Sequence, residues 1–431
     1  MAGSGRGPAE PVVALIGTLD TKGAEIAYLR DRLADLGATA LVIDSGIINQ
    51  PAISADIPRE EVAEHAGMSL AEVQASGSRG AAVELMQAGL RSLAKQLYAD
   101  RRIDAALCIG GAEGAQLGAA FMQVLPVGVP KLIVSPSASG RREFHPFVGS
   151  SDVLVMHSVI DILGLNAVAT SVFGNAVAAI VGMCRWGSRL PVSARPAVGI
   201  TMLGQTTPGA SIVVDRLTAA GYEPIVFHAN GVGGPAMDAM ARQGVLAGVI
   251  DYTISELANT HFGGIHATGP DRMLGAVEAG IPLLVVPGAA DFFNQGALDT
   301  LPEKYRARKH YRHNPVATLV RVEAAEMAEL GAQLADRLAG ATAPTRVIVP
   351  TRGLSLVGVE GGAIADPLAD AAFLDGLRGR LRSDIGISVL DADVNAPEFA
   401  HQVADAFLRL MEGAPSRGRE FADSTQYATG G

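Results

Sequence analysis

The chain has 431 residues, a net charge of −10, and 48% hydrophobic but only 5% aromatic residues. That length exceeds one ordinary core and predicts two domains. An acidic chain with no Lys/Arg block has no electrostatic reason to approach nucleic-acid phosphates or an anionic membrane, so the expected partner is a small molecule.

The apolar content is mostly Ala, Val, Leu and Ile, with 51 Gly, which suits parallel sheets under helices rather than sandwiches or barrels. Cys108 and Cys184 are the only cysteines and lie in apolar surroundings. Neither a disulfide framework nor a thiolate metal site is expected, and a reducing, cytoplasmic setting fits. Residues 1–11 lack the apolar core of a signal peptide and read as a flexible tail, as do residues 415–431.

In chain order, Val12–Gly17 reads as a buried strand, Ala24–Leu36 as a helix and Ala40–Asp44 as a second strand, one βαβ unit. Helical segments at Arg59–His65 and Gly80–Ala99 precede the strand Ala105–Ile109, a helix to Val124 and the strand Lys131–Ser135. A short strand at Val153–His157 and a long apolar helix over Val159–Cys184 close the first domain, residues 12–186. That helix contains Asp161, Asn166 and Asn175. It reads as a buried helix at a homodimer interface rather than a membrane span. Gly187–Pro196 is the linker.

The second domain, residues 197–412, repeats the alternation with strands at Ala197–Met202, Pro224–His228, Gly248–Tyr252, Leu283–Pro287, Arg346–Pro350 and Ser388–Asp391. The predicted fold is therefore α/β, two Rossmann-like doubly wound parallel-sheet domains.

In such sheets ligands sit beyond the carboxyl ends of the strands. The first such loop holds Gly17, Thr18, Asp20, Thr21 and Lys22, where a close backbone approach and a lysine suit a phosphate. Asp44 ends the second strand, where Rossmann-type sites place an acid on a ribose hydroxyl; a turn cap is the alternative. Gly110, Gly111, Glu113 and Gly114 open a helix in the manner of an anion loop. Ser135, Ser139, Gly140, Ser151 and Asp152 add hydroxyls and a carboxylate to one nucleotide-sized site.

In the second half His228, Glu256, Asp291 and His313 stand near strand ends or in a polar loop that also holds His310 and Arg312. The grouping suits acid/base chemistry or a divalent metal of unknown identity. Gly233 and Gly234 form a second possible anion turn, and Arg312 and Arg352 could hold a carboxylate.

The segments GTLDTKG (17–23), GVPKLIVS (128–135), ASG (138–140), VGSSD (148–152), SVIDILGLN (158–166), TTPG (206–209), FHANGVGG (227–234), GPDR (269–272), YRHNP (311–315) and PTRGLS (350–355) resemble the Tm-one-like ATP-binding domain family. That family is named after the tomato mosaic virus resistance protein. The resemblance covers roughly residues 12–412. It implies two Rossmann-like subdomains, a dimer, and ATP bound at the first-domain loops.

Two departures stand out. Where relatives read GGSGGT, residues 110–115 are Gly-Gly-Ala-Glu-Gly-Ala; Ala112 and Ala115 remove two hydroxyls, and Glu113 brings a negative charge that calls for a cation such as Mg²⁺ beside a triphosphate. Gly209 replaces the family's cysteine after TTP. Three functions remain open: an ATP-binding protein, an enzyme acting without ATP on a small carboxylated or phosphorylated metabolite, and a protein-interaction module.

Overall fold

The computed structural model describes residues 10–138, 145–188 and 195–413. The expected sites Ser139 and Gly140, most of the linker, and nearly all of both tails lie outside the described residues. The chain divides into two compact units, residues 1–191 and 192–431.

The first unit runs β1 (Val12–Gly17), α1 (Leu19–Asp35), β2 (Thr39–Asp44), α2 (Arg59–Glu64), α3 (Leu70–Gln74), α4 (Arg79–Ala99), β3 (Ala105–Ile109), α5 (Ala112–Met122), β4 (Lys131–Ser135), α6 (His145–Val148), β5 (Leu154–His157) and α7 (Ala167–Trp186). All five strands are parallel, in the order β2-β1-β3-β4-β5. Alternate β1 side chains enter opposite layers. Ala14 and Ile16 pack with Met86 and Leu90 of α4 and Phe121 of α5, and Val13 and Leu15 with Ile26 of α1 and Phe173 and Ile180 of α7.

Two helix starts differ from expectation. Helix α1 begins at Leu19, not Ala24, because the Asp44 carboxylate accepts the Leu19 N–H at 3.1 Å; the backbone kinks at Lys22, where φ is −125°. Helix α7 begins at Ala167, not Val159, because the Asn166 side chain caps it, accepting the Val168 and Ala169 N–H groups. The stretch before it loops back over α1, and Val159 there has a left-handed φ of +68°, strained for a β-branched residue.

By length and composition α7 could cross a bilayer, with a mean hydropathy of 1.8. Here it covers a face of the first sheet through Ala169, Phe173, Ala176, Val177 and Ile180.

The second unit runs β6 (Ala197–Met202), α8 (Thr207–Ala219), β7 (Glu223–His228), α9 (Gly233–Arg242), β8 (Gly248–Thr253), α10 (Ser255–Phe262), α11 (Gly275–Ala279), β9 (Leu283–Gly288), β10 (Phe292–Gln295), β11 (His310–Asn314), β12 (Ala317–Arg321), α12 (Ala324–Leu338), β13 (Thr345–Pro350), α13 (Pro367–Arg380), β14 (Gly386–Leu390) and α14 (Pro397–Glu412). Its parallel sheet has the order β14-β13-β9-β8-β6-β7.

Counted from its own first strand, that sheet reads 2-1-3-4-5-6, the order of the first sheet plus one strand. Val198 and Ile200 face α8 and α14, meeting Val213, Leu217, Phe399 and Phe407. On the other side Gly199 leaves room for Met237 of α9, since a Cβ there would lie 2.9 Å from it.

A small antiparallel sheet, β10-β12-β11, was not expected. Its strand β11 reads HYRHN, and His310 and His313 stand on this strand, not in a loop.

Candidate functional site

In the first sheet β2 lies on one side of β1 and β3 on the other, so the chain reverses direction of growth between β1 and β3. The crevice at such a switch point is where doubly wound sheets bind ligands. It is flanked by Gly17–Thr18 and Gly110–Gly111. Gly110 must be glycine, because a Cβ would lie 2.8 Å from Gly114 backbone atoms; around Gly111 the space is open. Gly111 is the N-cap of α5 and offers no side-chain cap, so the first N–H groups of that helix, which starts at this edge of the sheet, have no intrahelical partner.

Glu113, in the first turn of α5, is held by Arg79 in a two-pronged pair at 2.6 and 3.1 Å. Its negative charge is thus already matched by a guanidinium. Thr18 and Thr21 share a hydroxyl hydrogen bond of 2.8 Å, and the Thr18 carbonyl accepts the Lys22 N–H.

Other expected members have different roles. The Lys22 ammonium donates to the Ile162 carbonyl, and Glu25 accepts the Gly164 N–H at 2.7 Å, so together they hold the loop after β5 against α1. Asp44 is buried and accepts the Leu19 and Gly46 N–H groups; burial raises its pKa. It serves as the cap. Asp20 accepts the Asn49 N–H at 3.2 Å. Ser135 is buried, and its hydroxyl accepts the Ser137 N–H.

Ser151 and Asp152 precede β5 and so belong to the amino edge of the sheet, opposite the crevice. There Asp152 pairs at 2.6 Å with the buried Lys131 at the start of β4. Cys108 and Cys184 are both buried, and burial pushes the Cys108 thiol up to about 12, which leaves it inert as a nucleophile.

At the carboxyl edge of the second sheet the charges are largely bound to one another. Arg272 is buried against Asp251 (2.7 and 2.8 Å), Glu256 (2.5 Å) and Asp238 (3.4 Å). Burial alone would lower the Arg272 pKa, but the three carboxylates hold it well above its ordinary value. Asp238 is pushed up to about 6, by burial above all.

Glu256 also accepts the Gly231 and Gly234 N–H groups, which removes that turn as an anion site; a Cβ at Gly234 would collide with Glu256 and Arg272. Asp291 is buried beside Arg321 at 3.4 Å and accepts the Ser355 hydroxyl, and burial raises its pKa. Arg352 is bound two-pronged to Asp391 on the surface. Glu256, Asp291 and Arg352 are therefore scaffold ion pairs rather than free chemical groups.

His228 and His313 differ. Both are exposed, and both bear on His266, whose pKa is lowered first by burial and then by these two neighbouring rings. Sequence reasoning missed His266, Arg272 and Arg321. Arg272 carries a readable signal in the GPDR segment, while His266, in GGIHATGP, carries none.

Family descriptions match both units: the uncharacterised protein family (UPF0261) N-terminal domain over residues 11–188 and its C-terminal domain over residues 195–411. The chain belongs to the UPF0261 family. A UPF0261 protein of Clostridium tetani is 34% identical over 401 residues, 93% of this chain and 99% of that one. Another from Mesorhizobium japonicum is 36% identical over 400 residues, covering 92% and 98%. The ToMV resistance protein Tm-1 of Solanum lycopersicum is 34% identical over 341 residues, 77% of this chain and 45% of the tomato protein. The expected kinship to the Tm-one-like family thus holds across the UPF0261 fold.

Proposed function

We propose that the first unit binds a nucleotide, ATP, in the crevice between β1 and β3. The observation that carries this reading is the amino end of α5, without a side-chain cap among the described residues, which follows Gly110–Gly111 at the switch point of the sheet. The Tm-one-like resemblance implies the same ligand at the same loops. Arg79 supplies beside Glu113 the positive charge that would otherwise be asked of Mg²⁺.

Calorimetric titration with ATP, with and without Mg²⁺, tests this. Glu113→Gly frees Arg79 and is expected to bind about tenfold more tightly, while Arg79→Ala binds about tenfold more weakly, one unit charge near a surface being worth roughly 1–2 kcal/mol. Equal affinity in all three proteins would remove the pair from the site.

We infer as well a two-fold homodimer through α7. Val168, Ser171, Asn175 and Ala178 stand exposed at helical spacing on one face, and Trp186 is 76% exposed. Light scattering should give a dimer mass that Val168→Glu reduces. A monomer mass across the micromolar range would count against it.

A further inference from the structure

The loops that carry His228 and His266 are fixed to one short helix. Glu256 of α10 accepts the Gly231 and Gly234 N–H groups at 2.8 and 3.3 Å, pinning the turn that follows His228. One turn further along α10, Asn259 accepts the His266 N–H at 3.3 Å and the Asn294 N–H at 2.9 Å, and Thr260 accepts the Thr268 N–H at 2.9 Å. The two loops also touch. Gly231 adopts a φ of +96°, and a Cβ there would lie 3.2 Å from the Cα and carbonyl carbon of His266. The backbones of the two loops therefore pack directly against each other.

The third ring comes from β11. Between Arg312 and Asn314 its pairing with β12 slips by one residue, which makes His313 the extra residue of a bulge, a device that re-aims a side chain out of the regular alternation. Among the described residues no carboxylate is ion-paired to His228, His266 or His313. The nearby acids Asp238, Asp251 and Glu256 are all taken up by Arg272. The His266 Nδ1 is buried without a partner. Among the described residues no His, Cys, Asp and Glu group has a metal-binding arrangement. What remains among the described residues is a set of three imidazoles that offer N–H donors and have no ion-paired carboxylate.

We propose that His228, His266 and His313 form a binding site for the oxyanion of a small metabolite, a carboxylate or a tetrahedral anion such as a phosphate ester. An anion among the three rings supplies the charge that the fold withholds and offsets the burial and the neighbouring rings that disfavour protonation of His266. This site lies wholly in the second unit and does not depend on nucleotide binding in the first.

Histidine-ring NMR on the full chain tests it, with sulfate as the tetrahedral probe and malonate as the carboxylate probe. The protein has nine histidines, which single His→Asn variants assign. The expected result is that the signals of His228, His266 and His313 move together along one binding curve, while that of His401, on the exposed face of α14, stays still. Because His228 and His313 are exposed, His228→Asn and His313→Asn should fold normally and each weaken binding about tenfold, the effect of losing one hydrogen bond to a charged group. A response to sulfate alone or to malonate alone supports the site and assigns its anion class. No response to either, a drift of all nine histidines alike, or unchanged affinity in both variants overturns the proposal.

Discussion

At the carboxyl edge of the first sheet the charged groups Asp20, Lys22 and Asp44 are bound to backbone and Glu113 to Arg79, while the backbone N–H groups at the start of α5 and the hydroxyls of Thr18 and Thr21 stand beside the crevice. At the same edge of the second sheet charged side chains neutralise one another. The two sheets share a strand order, so the difference is not one of topology. It lies in what the strand-end residues are asked to hold. A crevice lined by backbone donors stays available to a ligand, whereas a carboxylate buried beside arginine is committed to the fold.

The sharpest way to break that comparison is Arg272→Met. Removing the cation strands Asp251, Glu256 and Asp238 in a buried setting, and the second unit should lose at least about 3–5 kcal/mol, read from urea unfolding. A loss below about 1 kcal/mol would mean that these acids are not held by Arg272 and are free for chemistry.

A smaller effect follows from Asp238, whose pKa rises from 3.8 to about 6 on folding. A carboxyl raised in this way favours the folded state below its unfolded pKa, and that contribution is lost as pH climbs through the folded value. Asp238→Asn, which cannot titrate, should therefore gain on the wild type between about pH 4 and pH 6, by on the order of 2 kcal/mol. Denaturation curves of the two proteins across that range check it. A constant difference would show that Asp238 does not titrate there.

The parallel strands were legible because their Val, Ile and Leu runs are long, continuous and bounded by Gly or polar turns, as in VVALIG and AALCI. Helix α1 was misread at its start because its cap, Asp44, lies 25 residues away, beyond any local signal. The strand β11 was missed because HYRHN shows no apolar alternation.

The roles of the candidate site residues were hidden for the same reason. Glu256 meets Arg272 across 16 residues, Glu113 meets Arg79 across 34, and Arg352 meets Asp391 across 39. The sequence shows each charge but not its partner, and only the partner separates a scaffold pair from a free group. Lys22 makes the same point, since its carbonyl partner, Ile162, is 140 residues distant.

The most direct test of the nucleotide site uses Gly111→Asp. Gly111 has a φ of −63° and open space where a side chain would go, and it occupies the N-cap of α5, so an aspartate fits there without strain. Asp is a favoured N-cap and interacts well with the helix dipole, so the variant should be at least as stable as the wild type, by up to about 1 kcal/mol. The same carboxylate would occupy the donors offered to the phosphates and repel them. The account predicts a fully folded protein whose heat of ATP binding has disappeared. An ATP affinity equal to that of the wild type would contradict it.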